Sequence, residues 1–457
     1  MFDLKQYKNI HAIGIGGIGL SAICEILLAR GYKVSGSDMK ESEMTDKLAK
    51  MGARVFLGHR AENVENADLL LYTAAISQDN PELVRARERG IPCLSRAEML
   101  GYLMDEYKNS IAISGTHGKT TTTSMVALIM EHADLDPTIL VGGNLGEIGG
   151  NCQVGTSEYF VTEACEYVDS FLSLKPKIEI ILNIESDHLD YFKDINQIVR
   201  SFDRFAKLVP QDGMIIAYEA NPFVNQVTNG LNNVVTFGLN DNCDYAGKNI
   251  RFDENGMPGF DVFSKGEYLA HVDLQVPGEH NVLNALAAFA CTHQLGVNED
   301  VIAKTLHSYT GTQRRFDIIG VTDYGVKIID DYAHHPTEIK ATLKATKNVP
   351  HNELWVCFQP HTYTRTLALF EEFADAFTEA DHLILAEIYA AREKNIYKIS
   401  SEQLMEKIKE KHPEADVTYI DNFDAMAEYI KNHASKGDMV ITMGAGDIYK
   451  VGDLLLK

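Results

Sequence analysis

The sequence lacks the features that mark membrane, secreted and disulfide-rich proteins. No apolar run approaches the ~18 residues that a membrane-spanning helix requires. The first residues, MFDLKQYKNI, do not show the basic-then-apolar profile of a secretory signal. None of the seven cysteines forms a CxxC pair, which argues against a disulfide framework and against a thiolate zinc site. These absences predict a cytoplasmic protein without a membrane span.

Basic residues are scarce relative to acidic ones. Lys and Arg number 42 against 65 Asp and Glu, which gives a formal net charge of −23. Because nucleic-acid binding depends on cationic contacts with phosphates, this balance argues against a nucleic-acid partner. It does not exclude small anionic ligands, since a few cationic side chains and backbone amides in a cleft can hold a phosphate.

The chain has an ordinary globular composition and a length of several domains. It has 457 residues, of which 45% are hydrophobic and 23% charged. A prior of about 150 residues per domain predicts roughly three domains. Apolar strands alternate with helical segments, for example a strand near 10–14, a helix near 20–30 and a strand at 32–37. This alternation predicts an α/β fold with parallel sheets covered on both faces.

The predicted domains are 1–108, 109–311 and 312–457. Strands are predicted at 10–14 in the first domain and at 109–114 at the start of the second. Further strands are predicted at 159–163, 178–184, 214–218, 326–330, 353–358, 382–386 and 439–443. From 233 to 276 apolar and polar residues alternate, with Gly and Asn at the turns. That pattern favours antiparallel strands, so the central sheet is predicted to be mixed.

The clearest motif is SGTHGKT at 114–120, between a predicted strand and a predicted helix. Its glycines allow backbone amides to converge on phosphate oxygens, and Lys119 reaches the terminal phosphates. Thr120 would offer a hydroxyl to Mg²⁺. The pattern GxxxxGK[ST] requires a glycine where Ile113 stands, so this is a shorter variant of the phosphate loop. The alternative is a glycine-rich turn with a chance lysine.

Two candidate metal ligands follow predicted strands of the same segment. Glu163 ends the run that begins at 159, and His188 comes shortly after the strand at 178–184. The carboxyl ends of parallel strands line the ligand crevice of an α/β sheet. Taken singly, each residue is more often a solvated or capping side chain. Their common position beside a phosphate loop makes them candidates for holding Mg²⁺.

The N-terminal segment contains a second glycine motif, GIGGIG at 14–19, with Asp38 further along the chain. The motif follows a predicted strand and matches GxGxxG, which brings the backbone close to a diphosphate. The glycines do not distinguish NAD from a nucleotide sugar. A tight strand–helix turn without a ligand is a third interpretation.

Three polar clusters mark the last segment. They are QRRF at 313–316, DDYAHHP at 330–336 and QPHTYTR at 359–365. Arginine suits the bidentate capture of a carboxylate or phosphate. Single clusters of this kind are more often polar loops, but several at the exits of parallel strands indicate a site.

These motifs, in this order, resemble the Mur ligases of peptidoglycan synthesis, ATP-dependent enzymes that add amino acids to a UDP-linked muramic acid. The resemblance spans nearly the whole chain and rests on HAIGIGGIGLSAICEILL, SGTHGKTTTTSM, TEACEYVDSFL, NIESDHLDYF, GEHNVLNALAA, GTQRRFD, DDYAHHPTE and FQPHTYTRT. It implies an N-terminal Rossmann-like domain for UDP, a central P-loop ATPase domain with a mixed sheet, and a C-terminal Rossmann-like domain. It also implies that the first glycine motif binds a UDP-sugar rather than NAD.

The resemblance implies a set of site residues. The UDP-sugar is expected to contact Gly16, Gly17, Ile18, Gly19, Ser37, Asp38, Thr73 and Ala75. ATP is expected to contact Gly115, Thr116, His117, Gly118, Lys119, Thr120, Thr121, Asn281, Asn284, Arg315 and Asp331. The amino acid is expected at His334, His335 and Arg365, and the metal at Thr120, Glu163 and His188. Lys119, His188 and Arg365 are the predicted catalytic residues.

The implied reaction joins the carboxylate of UDP-N-acetylmuramate to the amine of L-alanine through an acyl phosphate, with ATP and Mg²⁺ (or Mn²⁺). His188, His334 and His335 are unranked candidates for the base that deprotonates the amine. Three alternatives are an NAD-linked oxidoreductase, a non-catalytic UDP-sugar sensor, and a ligase of the same family that recycles a preformed peptide. The sequence carries no indication of an oligomeric state.

Overall fold

The computed structural model describes residues 2–73, 75–189 and 191–457. The strands in these ranges form separate sheets, and each sheet is built from strands that are consecutive in the chain. Short 3₁₀ turns lie at Leu4–Gln6, Ala61–Val64, Gly146–Ile148 and Tyr167–Ser173. Across the described part of the chain, every helix is too short or too polar to cross a lipid bilayer.

The first sheet has the strand order β3-β2-β1-β4-β5 and is parallel throughout. Its strands are β1 (Asn9–Ile13), β2 (Lys33–Asp38), β3 (Arg54–Leu57), β4 (Leu69–Tyr72) and β5 (Cys93–Ser95). Its helices are α1 (Ile18–Ala29), α2 (Glu43–Lys50), α3 (Pro81–Glu88) and α4 (Arg96–Met104). The strand order reverses at β1, so the glycine motif after β1 lies at a topological switch point, where ligands of α/β sheets bind.

The central sheet has the order β15-β14-β13-β12-β11-β10-β6-β9-β7-β8 and is mixed, as predicted. Its strands are β6 (Asn109–Ser114), β7 (Thr138–Leu145), β8 (Gly150–Gln153), β9 (Tyr159–Glu163), β10 (Ile178–Ile181), β11 (Met214–Tyr218), β12 (Val234–Gly238), β13 (Tyr245–Phe252), β14 (Pro258–Ser264) and β15 (Glu267–Asp273). Its helices are α5 (Lys119–His132), α6 (Ile195–Ala206), α7 (Pro222–Thr228), α8 (Glu279–Gln294) and α9 (Glu299–Ser308).

One part of the strand prediction was wrong. β13, β14 and β15 pair antiparallel, but β12 pairs parallel with both β11 and β13. β12 follows the crossover helix α7, and a strand that returns through a helix lies parallel to the strand before it. Alternation of apolar and polar residues does not reveal this connection, because it reports only which face of a strand is buried.

The third sheet has the order β16-β17-β21-β18-β19-β20 and is parallel except for β16, which runs antiparallel to β17 at the edge. Its strands are β16 (Asp317–Val321), β17 (Lys327–Asp331), β18 (Leu354–Phe358), β19 (His382–Leu385), β20 (Asp416–Tyr419) and β21 (Met439–Met443). Its helices are α10 (Pro336–Thr346), α11 (Tyr363–Ala368), α12 (Phe370–Ala374), α13 (Ser401–Lys411), α14 (Phe423–His433) and α15 (Tyr449–Leu455). The clusters at 330–336 and 359–365 follow β17 and β18 at the carboxyl edge.

Candidate active site

The phosphate loop joins β6 to α5 through two glycines in the left-handed region. Gly115 has a φ of 137° and Gly118 a φ of 85°. A Cβ atom at Gly118 would lie 2.5 Å from Oδ1 of Asn284, and one at Gly115 would lie 2.9 Å from Cβ of Leu182. Neither position accepts a side chain, so the loop packs closely against β10 and α8 while its amides open at the N-terminus of α5.

The segment that follows β10 holds this loop in place. Oδ1 of Asn183 accepts a hydrogen bond from the His117 amide at 2.8 Å, and its Nδ2 donates to the His117 carbonyl at 3.1 Å. The Glu185 amide donates to Oγ1 of Thr116 at 2.9 Å. Of the residues in this segment, the sequence predicts only His188 as a member of the site. Asn183 and Glu185 belong to the same NIESDH motif, but nothing in their spacing indicates a contact with a loop about 66 residues earlier.

Lys119 is folded back onto its own loop. Its ammonium group donates to the carbonyls of Gly115 and Thr116 and to Oε2 of Glu166, the last at 2.9 Å. Burial opposes a charge here, but the Glu166 carboxylate keeps the pKa of Lys119 above its usual value. Lys119 is therefore a charged donor close to the loop amides. The sequence pattern does not indicate this role for Glu166, although Glu166 lies three residues after the candidate ligand Glu163.

A cavity of about 270 Å³ opens beside the loop, between the central sheet and the third sheet. Seven of the residues predicted to contact ATP line it: His117, Gly118, Thr121, Asn281, Asn284, Arg315 and Asp331. Its other walls include the apolar and aromatic side chains of Leu182, Tyr218, Phe237, Leu283 and Tyr309. An apolar cavity with a few polar groups fits a flat aromatic base, with the phosphate loop at its edge.

Arg315 and Asp331 connect the third sheet to this cavity. Asp331 accepts hydrogen bonds from the amides of Phe316 and Ala333 at 2.8 and 2.7 Å. Burial raises the pKa of Asp331 to about 6, although the charge of Arg315 lowers it. Nη2 of Arg315 lies 3.5 Å from Oγ1 of Thr120 in the first turn of α5. The guanidinium group therefore reaches from one domain to the phosphate loop of another.

The predicted metal ligands come from three elements around the loop. Thr120 lies in the first turn of α5, Glu163 ends β9 and His188 follows β10. Oε1 of Glu163 accepts from the Gly142 amide at 2.6 Å, which fixes its carboxylate at the sheet edge. The hydroxyl and the carboxylate fit Mg²⁺ or Mn²⁺, whereas an imidazole is more typical of transition metals. The donor set suits a divalent cation, and the assignment stays a prediction.

His117 forms an ion-pair bridge between two domains. Its Nδ1 lies 3.0 Å from Oε1 of Glu338 at the start of α10, and its Nε2 lies 3.5 Å from Oε2 of Glu185. Burial would lower the pKa of His117, but Glu338 and Glu185 raise it from 6.5 to about 10. Ligand atoms of His117, Glu185 and His335 also lie within 4.8 Å of one another, an arrangement that could hold a metal ion. The charge on His117 already offsets one of the two carboxylate charges around it.

We expect the His117 bridge to make stability depend on pH in the alkaline range. Because the pKa is raised in the folded state, its contribution is complete below 6.5 and declines as the pH rises towards about 10. His117→Gln should therefore lower the melting temperature at pH 6 and change it much less at pH 10. Thermal unfolding of both proteins from pH 6 to 10 measures this difference. A constant difference across the range would contradict it.

The predicted amino-acid end of the site contains an arginine–aspartate pair. Nε and Nη2 of Arg365 each lie 3.0 Å from Oδ1 of Asp187, and Nη1 lies 3.2 Å from Nδ1 of His361. Burial opposes the charge of Asp187, but Arg365 holds its pKa well below the usual range. The adjacent cavity measures about 10 Å³, room for about one water molecule. Binding an amino acid here would require the pair to separate.

The two adjacent histidines have different surroundings. Nε2 of His335 donates to the Ser186 carbonyl at 3.0 Å, and its Nδ1 accepts from the Thr337 amide at the start of α10. His335 is therefore a helix cap and an interdomain donor here, and its role in amino-acid binding stays a prediction. Nδ1 of His334 lies 3.0 Å from the Tyr332 carbonyl. Burial lowers the pKa of His334 to about 3, so this ring is neutral at pH 7.

The glycine motif after β1 is held by the end of β2. The amides of Gly14 and Ile15 donate to the Ser37 carbonyl at 2.8 and 3.1 Å, and the Gly16 amide donates to Oδ2 of Asp38 at 2.9 Å. The Ser37 hydroxyl is fully buried and donates to Glu82 at 2.5 Å. Only its carbonyl faces the loop, so a hydroxyl contact with a ligand is not available in this conformation.

The other residues predicted for the UDP-sugar surround the same turn. Gly17 caps α1, which begins at Ile18, and Gly19 lies in the first turn of α1. The Ala75 amide donates to Oγ1 of Thr73 at 3.3 Å, just after β4. The switch point therefore collects the predicted contacts from β1, β2 and β4.

The fold and the site define a multidomain α/β protein of the phosphate-loop type, whose loop faces the third sheet across a cavity. Models of the Mur ligase family match in three parts: the catalytic domain at 9–108, the middle domain at 113–292 and the glutamate ligase domain at 314–446. The chain belongs to the Mur ligase family. The predicted boundaries after 108 and 311 fall in the gaps between these matches and stay predictions.

Two curated relatives cover almost the whole chain. The UDP-N-acetylmuramate–L-alanine ligase of Alkaliphilus metalliredigens is 51% identical over 455 residues, 99% of this chain and 98% of the relative. The enzyme of the same name from Clostridium tetani is 52% identical over 458 residues and covers 100% of both chains.

Solved structures share the same fold. The UDP-N-acetylmuramate-alanine ligase of Thermotoga maritima superposes with a TM-score of 0.82 at 30% identity, covering 98% of each chain. A murein peptide ligase from Psychrobacter arcticus superposes with a TM-score of 0.74 at 26% identity, again covering 98% of each chain. These comparisons confirm the predicted family and the three-domain α/β fold.

Proposed function

We propose that this chain ligates L-alanine to the carboxylate of UDP-N-acetylmuramate at the expense of ATP, the first amino-acid addition in the synthesis of the peptidoglycan precursor. Relatives that share about half of its residues over the full length carry this activity in their names. The observation that carries the proposal is the segment after β10. Asn183 holds the phosphate loop, and Asp187 holds Arg365. ATP phosphates and an amino-acid carboxylate would thus meet around one short segment.

The chemistry requires activation of a carboxylate. An oxide ion is too poor a leaving group for direct attack by an amine, so the sugar carboxylate oxygen first attacks the γ-phosphorus of ATP and ADP leaves. The product is an acyl phosphate. The neutral alanine amine then attacks the acyl carbon. The nitrogen of the tetrahedral intermediate gives up one proton to the departing group, which leaves as inorganic phosphate. No side-chain nucleophile takes part, so the protein contributes mainly alignment and charge neutralisation.

The groups at the phosphate loop suit the first step. Lys119 would exchange its contacts with the Gly115 and Thr116 carbonyls for the phosphate oxygens of ATP. Arg315 lies close enough to Thr120 to add a second positive charge at the loop. A divalent cation held by Thr120, Glu163 and His188 would neutralise further phosphate charge. The aromatic and apolar walls of the neighbouring cavity would enclose the base.

Arg365, His334 and Asp187 suit the second step. The Arg365 guanidinium group would bind the alanine carboxylate in a bidentate contact once it separates from Asp187. His334 is the better placed of the adjacent histidines to face the amine. Its Nδ1 is engaged by the Tyr332 carbonyl and its pKa of about 3 keeps the ring neutral, so Nε2 can accept a hydrogen bond from the amine. His335 has no free ring nitrogen for this task.

Phosphate release provides the direct test of this function. With ATP, Mg²⁺ and UDP-N-acetylmuramate, we expect phosphate release that depends on an added amino acid and is fastest with L-alanine. The panel should contain L-alanine, L-serine, glycine and a murein tripeptide, each also tested without the UDP-sugar. Because ATP drives the reaction, we place it in the cytoplasm.

Two results would contradict the assignment. Turnover with the tripeptide but not with free alanine would identify a peptide-recycling ligase, the activity named for the Psychrobacter arcticus structure. Phosphate release that is independent of any amine would identify an ATPase switch.

Replacing Mg²⁺ with EDTA should abolish turnover, and adding Mn²⁺ should restore it.

A further inference from the structure

Arg96 lies against the glycine motif of the first domain and forms no ion pair with the residues that the structure describes. Arg96 is the first residue of α4 and follows β5 directly. A Cβ atom at Gly19 would lie 3.1 Å from Nη1 of Arg96 and 3.2 Å from its Cδ, so the side chain packs across the first turn of α1. Within residues 2–73, 75–189 and 191–457, the Arg96 side chain donates no hydrogen bond and joins no ion pair. A partly buried guanidinium group without an anion is costly to keep.

Two acidic residues, one in the same helix turn as Arg96 and one at the glycine motif, already accept other hydrogen bonds. Glu98, two residues further along, accepts a hydrogen bond from the Ser95 amide at 2.7 Å in the capping box of α4. Asp38 accepts from the Gly16 amide. The cation Lys47 is also occupied, since it pairs with Glu25 at 2.8 Å. In a chain with a net charge of −23, a cation that avoids the available carboxylates is suited to an external anion.

The position of Arg96 is set by the packing of its helix. A Cβ atom at Gly101 would overlap the Ser173 carbonyl oxygen, so α4 sits directly on the central domain. Burial and Glu166 raise the pKa of the Cys165 thiol, whereas the positive charges of Lys119 and Arg96 lower it. Arg96 therefore packs against the glycine motif and acts electrostatically on Cys165 of the central domain. Its helix cannot turn away without breaking the contact between the domains.

We propose that Arg96 binds the diphosphate of the UDP-sugar substrate. This inference rests on the proposed function, because it takes the UDP-sugar as the ligand of the glycine motif. A diphosphate at the N-terminus of α1 would meet the amides of the motif from one side and the Arg96 guanidinium from the other. The planar fork of arginine matches phosphate oxygens in two parallel hydrogen bonds. The contact with Gly19 sets the guanidinium beside the turn that the diphosphate must approach.

Titration calorimetry with uridine, UMP, UDP, UDP-N-acetylglucosamine and UDP-N-acetylmuramate tests this assignment. We expect Arg96→Ala to weaken UDP and both UDP-sugars by about 10- to 100-fold and to leave uridine affinity unchanged. The affinity of Arg96→Lys for UDP and the UDP-sugars should lie between those of the parent protein and Arg96→Ala. Lysine keeps the positive charge but loses the planar, two-pronged guanidinium group. ATP affinity should not change. Arg85→Ala, at an exposed arginine that pairs with Glu88 on α3, is the matched control and should bind every ligand as the parent protein does.

Other outcomes overturn the proposal. A loss confined to UDP-N-acetylmuramate would mean that Arg96 contacts the lactyl carboxylate, which UDP-N-acetylglucosamine lacks. An equal loss for all ligands, uridine included, with a lower melting temperature would mean that Arg96 only supports the domain. Unchanged UDP affinity in Arg96→Ala would refute the inference and leave the proposed function standing. Failure of the parent protein to bind any uridine ligand would refute both.

Discussion

Replacing Lys119 with alanine is expected to reduce the rate of phosphate release by about 1,000-fold or more, because the charged donor that we propose for the transferring phosphoryl group is lost. The surroundings of Lys119 explain the size of this effect. Its side chain is only 15% exposed, and its charged ammonium group contacts the carbonyls of Gly115 and Thr116. Single-turnover measurement of acyl phosphate, trapped as a hydroxamate, assigns the loss to the first step.

The same experiment separates chemistry from folding. Lys119→Ala also leaves Glu166 without its cation, so a lower melting temperature is expected along with the lost rate. Lys119→Ala/Glu166→Gln removes that unpaired charge and should recover stability without recovering activity. Lys304→Ala, at an exposed lysine on α9, is the control for a surface lysine in the same domain. Acyl phosphate formed at the normal rate by Lys119→Ala would disprove the central assignment of the phosphate loop.

The second large effect is expected at Arg365. Arg365→Ala should raise the KM for alanine by about 100-fold, since a bidentate contact with the amino-acid carboxylate is removed. It should leave the KM for ATP nearly unchanged, because the cavity that we propose for ATP has no wall formed by Arg365. Arg365→Lys retains the charge but not the fork, so most of the alanine affinity should still be lost. Initial rates at saturating ATP and UDP-N-acetylmuramate give these constants.

Asp187 provides the control for this prediction. Arg365→Ala leaves the buried Asp187 carboxylate unpaired, a change that costs about 3–5 kcal/mol of stability in comparable buried pairs. In Arg365→Ala/Asp187→Asn the unpaired charge is gone, so the melting temperature should recover while the KM for alanine stays high. Recovery of alanine affinity together with stability would show that Arg365 supports the fold and does not bind the substrate.

Much of the fold could be predicted from local patterns. The strands β9, β11 and β21 have the predicted bounds, because each is a short apolar run with polar residues at its ends. The phosphate loop was also predictable, since its glycines, lysine and threonine are adjacent in the chain and act within one turn. The direction of β12 was mispredicted, because it depends on the crossover through α7 and not on the pattern within the strand.

The candidate site was predictable only where its residues lie next to a glycine motif or strand end. His117 and Glu338 are 221 residues apart, and Arg365 and Asp187 are 178 residues apart. Each pair forms across a domain junction. No local spacing encodes such a contact, so Glu166, Asp187 and Glu338 could not be recognised as partners from the sequence. Arg96 was missed for the same reason, since only the packing of α4 brings its side chain to Gly19.

The sequence by itself determined the family, the α/β architecture and the phosphate loop around Lys119. These features depend on residues that are close together in the chain. Glycines permit the backbone conformation of the loop, and the spacing of apolar residues distinguishes a helix from a strand. The tertiary structure alone decided which charges meet: Lys119 with Glu166, His117 with two carboxylates, and Arg365 with Asp187. The sequence pattern does not predict such pairs, because the partners are far apart in the chain. They meet only when long loops close and both partners become buried.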